Sequence, residues 1–115
     1  MINVANFNSH DVIATYYNPT VNQCDSNPLI TADGSKINLD KLKKKQIRWI
    51  AVSRDLLDHY KYGDKVLVRS NNKVLNGVWI VKDTMNKRHK RRIDILTHEK
   101  NLLDKPVKVK IYKLP

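Results

Sequence analysis

The chain has 115 residues, with 22 Lys plus Arg against 11 Asp plus Glu and a formal net charge of +11. That length supports one domain with a single core and excludes two. With 41% hydrophobic residues, 7% aromatic and no apolar run near the ~20 residues that span a bilayer, it reads as a soluble globular chain with no membrane span. The charge calls for an anionic partner: nucleic acid, a membrane surface or an acidic cell-wall polymer.

Residues 1–11 are polar and read as a flexible N-terminal arm, leaving residues 12–115 as the domain. The opening MINVANFNSH has no basic head followed by an apolar core, so no signal peptide is expected. The chain is then either a mature form or one delivered by another route, such as a phage particle. Residues 12–17, VIATYY, are β-branched and aromatic and read as a strand that Asn18-Pro19 stops. Tyr16 and Tyr17 point to opposite faces of it; either both pack, or one offers a platform to a sugar ring, with Tyr16 the candidate. The single cysteine, Cys24, has no intrachain disulfide partner and no Cys or His companion at ligand spacing, so it reads as buried or inert and no metal site is expected.

Residues 22–34 carry the Asn, Asp, Ser, Pro and Gly of a loop long enough to form a functional rim, and Asp33-Gly34 is a turn signal before it is a site candidate. Residues 38–46 fit a short helix with Leu39 and Leu42 inward and Lys41, Lys43, Lys44 and Lys45 in water. Residues 48–52 form a strand that hands over to a helix at Ser53, a good N-cap, with Asp55 in the first turn and Leu56, Leu57 and Tyr60 inward. Residues 65–69 and 74–82 make a hairpin-like pair. Residues 97–104 fit a short helix capped by Thr97 that Pro106 keeps from running on. The final VKVKIYKL alternates, with Val107, Val109, Ile111 and Lys113 on one face, and reads as a half-buried closing strand. Short strands and one or two short helices, none in βαβ order, predict a mainly β chain closed as a small barrel.

Within GVWIVKDTMNKRHKRRIDIL two apolar runs enclose a basic loop, with Asp83 ending the first run and Asp94 inside the second. If residues 92–96 form a strand, Ile93 and Ile95 share one face and Arg92, Asp94 and Leu96 the other. A carboxylate held between apolar neighbours is either ion-paired, here with Arg91 or Arg92, or functional.

The segment DTMNKRHKRRID resembles the motif of the three-aspartate domain, a six-stranded double-psi beta-barrel of bacterial wall-lytic proteins related to the catalytic barrel of membrane-bound lytic transglycosylase A. In that family an aspartate-threonine pair and an arginine-isoleucine-aspartate stand with their acids eleven positions apart, and here 94 − 83 = 11. IAVSRDLL and YGDKVLV resemble further family blocks, and ATYYNP and TADG are similar to the rare-lipoprotein-A barrels, all in the family's order. Two positions depart: Ser53 stands where the family has its first aspartate, with Asp55 nearby, and Met85 and Asn86 replace glycines.

The resemblance implies a peptidoglycan-cleaving lytic transglycosylase of the cell envelope, periplasm or exterior, or of a phage virion, acting on the glycan strand without a cofactor. Asp94 would be the catalytic acid between N-acetylmuramic acid and N-acetylglucosamine, with Asp83 orienting substrate or holding Asp94's proton. Thr84 supports that network or merely closes a strand, and Tyr16, Thr31, Asp33 and Arg92 complete the expected substrate-binding set. Asp94 must hold a proton near neutral pH, which Asp83 and an apolar bed favour and Lys90, Arg91 and Arg92 oppose. Two other readings compete. One is a catalytically silent barrel, structural or glycan-binding, in a virion or envelope assembly. The other is a nucleic-acid module built on Lys87 to Arg92, against which stands the lack of interleaved aromatics or a helix-turn-helix pattern. The test between them is whether the two aspartates face solvent or are locked to arginines.

Overall fold

The computed structural model describes residues 8–19 and 29–115. Six strands close into a barrel: β1 (Ser9–Tyr17), β2 (Trp49–Val52), β3 (Lys65–Arg69), β4 (Gly77–Thr84), β5 (Arg92–Leu96) and β6 (Val107–Lys113). Around the ring they run β1, β5, β2, β4, β3, β6 and back to β1. β1 with β5 and β2 with β4 are parallel; the other neighbours are antiparallel. Exchanging β1-β2-β3 for β4-β5-β6 maps this pairing onto itself, so two interlocked halves make the expected six-stranded barrel. Closure leaves every strand a partner on both sides and no free edge.

Each strand contributes two inward residues at a spacing of two: Val12 and Ala14, Ile50 and Val52, Val66 and Val68, Trp79 and Val81, Ile93 and Ile95, Val109 and Ile111. Leu56, Tyr60, Leu75 and Leu103 extend this core. A barrel so small is filled by its own side chains and leaves no room for a ligand inside. A second cluster, Tyr17, Ile37, Leu42, Ile47, Ala51, Met85 and Leu96, lies on the outer faces of β1, β2 and β5. It is covered by the excursion that carries helix α1 (Leu39–Lys43), whose N-cap Asn38 side chain accepts from the Lys41 N–H.

Several local expectations are corrected. β1 starts at Ser9, so Ser9, His10 and Asp11 belong to the barrel and not to an arm. His10 is tied in by a 2.6 Å hydrogen bond between its Nδ1 and the hydroxyl of Tyr60, which is buried in the core. Leu42 is buried, but Leu39 is 43% exposed because one turn of helix presents only one such position to the sheet. Ser53 caps no helix: Arg54–Leu56 is a single 3-10 turn, and the Ser53 hydroxyl instead accepts from the Arg92 N–H. Asp55 accepts from the N–H of Arg91, which has a φ of 50°, and so fixes the turn into β5. Residues 97–104 form turns, with the Asn18 amide donating to the Thr97 and Glu99 carbonyls and taking up the groups a helix would have used. Cys24 lies outside the described residues.

Candidate active site on the outer face of the barrel

Asp94 sits in the middle of β5 with Ile93 and Ile95 anchored in the core, so its side chain projects outward from a rigid element. Thr15 of β1 lies directly opposite and donates its hydroxyl to Asp94 Oδ1 at 2.8 Å. On the other side of β5, Asp94 is level with Ala51 of β2, and Ala51 is level with Asp83 of β4. Thr15, Asp94, Ala51 and Asp83 therefore form one row across four adjacent strands. With strands about 4.8 Å apart, the two aspartate Cα atoms lie roughly 10 Å apart across the small side chain of Ala51.

Asp83 reaches this row through an irregularity. Ile50 pairs with Val81, but Ala51 pairs with Asp83, so Lys82 is an extra residue on β4. Strict alternation from the buried Val81 would carry Asp83 into the barrel; the bulge turns it to the outer face. There its carboxylate accepts from the backbone N–H groups of Ala32 at 3.0 Å and Thr84 at 2.9 Å, and from the Tyr17 hydroxyl at 3.4 Å. The Lys82 ammonium turns to Asp33, 3.4 Å away, and lies over the Trp49 ring.

The three acids are in different electrostatic states. Burial pushes the Asp94 carboxyl up to about 6; the Thr15 hydroxyl and Arg92 oppose this, and the charge of Asp83 adds to it. Burial also raises Asp83, against the pull of its three hydrogen bonds, and Asp33 adds to the rise. Asp33 is held below the usual carboxylate range: burial works against this, but the Thr31 hydroxyl, Ser35 and Lys82 outweigh it. Among the described residues the ion pairs are Lys45 with Glu99, Lys82 with Asp33, Lys110 with Asp11 and Lys113 with Asp64, and none involves Asp83 or Asp94. Both remain partly exposed. A carboxyl that titrates near neutrality, reaches solvent and has no cation bound to it can give and take a proton.

The expected site residues separate into groups. Asp94, Asp83, Thr84 and Arg92 share one region, with Arg92 two positions from Asp94 on the same face of β5. Thr84 gives its N–H to Asp83 and accepts at its hydroxyl from Tyr62. Thr31 and Asp33 are joined to the site through structure: the Thr31 hydroxyl donates to Asp33 at 2.6 Å, and this turn aims the Ala32 N–H at Asp83. Tyr16 is not brought in; it faces the core side of β1 and its hydroxyl donates to the Lys100 carbonyl. Tyr17 reaches the site instead, but as a buried side chain whose hydroxyl donates to Asp83 and not as an exposed ring. Sequence reasoning missed Thr15 and Tyr17, although both share the outward parity of β1 that the buried Val12 and Ala14 define. Ser53, just past the end of β2, is fully buried, and its hydroxyl accepts from the Arg92 N–H.

Among the described residues no group of three or more His, Cys, Asp or Glu is placed to hold a metal ion, and no helix is long and apolar enough to cross a membrane. Compared with protein-family models and with curated proteins, the chain matches none of them.

Proposed function

We propose that this chain is a glycan-cleaving barrel of the three-aspartate, double-psi type, and that it acts on peptidoglycan as a lytic transglycosylase with Asp94 as its one acid and base. The observation that carries the reading is the Thr15-Asp94-Ala51-Asp83 row, in which a partly exposed carboxyl is fixed on a rigid strand, without a cation partner, next to a second acid.

Protonated Asp94 donates to the oxygen linking C1 of N-acetylmuramic acid to N-acetylglucosamine, and the C1–O bond breaks. The muramyl 6-hydroxyl attacks C1 to close a 1,6-anhydro ring and returns its proton to the Asp94 carboxylate, which restores the acid. No water enters, so no second carboxylate has to activate one. Asp83 is held by three donors and keeps its place; its charge favours the proton on Asp94. With Asp94 titrating at about 6, roughly half of it is acid at that pH and about a tenth at pH 7. Lys87, Arg88 and Lys90 are exposed on the loop before β5, where they can meet the anionic peptide stems.

The test is digestion of purified peptidoglycan by the wild-type chain and by Asp94→Asn, with soluble products read by mass spectrometry. Anhydromuramyl products that vanish in the variant are expected. Reducing ends would instead make the chain a hydrolase and Asp83 its second catalytic residue. No product from either protein would sink the reaction and leave a binding or structural barrel, the reading that the serine at position 53 favours.

A further inference from the structure

A groove of about 670 Å³ runs over β1, β6 and the end of β3 and is lined as well by Lys90 and Arg91. Its lining carries five cations, Arg69, Lys90, Arg91, Lys108 and Lys110, against one acid, Asp11, and no aromatic residue. Lys108 and Lys110 point outward because Val109 and Ile111 are buried between and after them, and register aligns Asp11, Lys110 and Arg69 in one row. Part of this charge is engaged: Lys110 pairs with Asp11 at 3.6 Å, and the Arg91 guanidinium donates to the Asp11 carbonyl. One carboxylate still leaves the groove strongly positive.

The groove and the candidate site are successive stations on one strand. Along the outward positions of β1, Asp11 and Ile13 line the groove, Thr15 holds Asp94, and Tyr17 reaches Asp83. Two residues of strand advance about 6.7 Å, so a chain lying along β1 passes from the cations to Thr15, and so to the start of the row that holds Asp94, within one step.

We propose that this groove is a subsite for the anionic groups, phosphate or carboxylate, of a cell-wall polymer, and that it lays the polymer along β1 toward Asp94. The proposal rests on the reading above only for the choice of polymer. Cations in a concave surface concentrate an anionic chain, and binding through them is salt-dependent. A groove without aromatic platforms lacks what holds nucleic-acid bases, which favours a polymer with charge and no stacking rings.

The experiment measures co-sedimentation with purified sacculi, intact or stripped of phosphate polymers by hydrofluoric acid, for the wild type, Lys108→Glu/Lys110→Glu, Lys108→Gln/Lys110→Gln and the control Lys43→Glu/Lys44→Glu. The control makes the same charge change on two exposed lysines, the last residue of α1 and its C-cap, outside the groove. At about 100 mM salt the groove reversal is expected to weaken binding at least roughly fivefold, the neutral pair less, and the control under about twofold. Loss of wild-type binding on stripping identifies phosphate as the group held; retention identifies carboxylate. Equal weakening by the control would reduce the effect to bulk charge and overturn the proposal. So would unchanged binding by the groove reversal, or tighter wild-type binding to a 20-nucleotide DNA than to sacculi. Binding needs no cleavage, so a chain that binds through the groove but cuts nothing overturns the reaction alone. Cleavage and binding that the groove reversal leaves unchanged overturn the groove alone.

Discussion

Asp94→Asn tests the electrostatics of the site without any substrate. Folding raises this carboxyl from an ordinary 3.8 to about 6, so the folded chain holds its proton across a window in which the unfolded chain has released it. At about 1.36 kcal/mol per pH unit, ionised Asp94 costs the fold at most ~3 kcal/mol, and its partial exposure brings the expected figure to about 1–2 kcal/mol. The sign follows from proton counts. Below the unfolded value both states are protonated and there is no cost; between the two values stability falls as pH rises; above the folded value the cost is fully present. Asparagine has the same shape, keeps an oxygen for the Thr15 hydroxyl and never ionises. The variant should match the wild type near pH 3.5 and exceed it by about 1–2 kcal/mol at pH 7, or roughly 4–8 °C in midpoint for a domain of this size. Urea unfolding at half-unit steps from pH 3.5 to 7.5 reads the difference. A gap that does not change with pH, or a variant less stable at pH 7, would refute the account of Asp94 as a carboxyl made basic by burial.

Three further outcomes are expected. Thr15→Val removes the hydroxyl that holds Asp94 down, so the alkaline limb of kcat/KM against pH should move above its wild-type position; an unmoved limb would mean the 2.8 Å bond is not made in solution. Tyr17→Phe, which strips a donor from Asp83, should slow product release from peptidoglycan several-fold, whereas Tyr16→Phe should not; the reverse order would restore Tyr16 to the site. Deleting Lys82 leaves Asp83 directly after the inward Val81, so plain alternation keeps it on the outer face opposite Ala51, and the deletion should fold with Asp83 still in the site. A deletion variant that is insoluble or unfolded would show that Lys82 does more than offset the parity of Asp83.

Alternation in RIDIL and VKVKIYK sufficed to place β5 and β6 and their inward residues, because strand parity is a local property written in consecutive residues. The same parity read Asp94 correctly as facing away from Ile93 and Ile95. Parity says nothing of Asp83, since a bulge exists only relative to the partner strand, and the cap expected at Ser53 fails because its hydroxyl meets a backbone N–H 39 residues away. Residues 97–104 look helical by themselves, but the Asn18 amide, 79 residues back in sequence from Thr97, takes up the carbonyls there.

What the sequence determined by itself was the class of fold, the excess of positive charge and the two acids worth examining, all carried by composition and short-range pattern. Only the tertiary structure decided that Thr15 and Tyr17 serve those acids, that Asp33 is neutralised by Lys82 while Asp83 and Asp94 are not, and that burial outweighs Arg92 at Asp94. Hydrogen bonds, ion pairs and desolvation depend on distances across strands, and those distances exist only once β1, β5, β2 and β4 lie side by side.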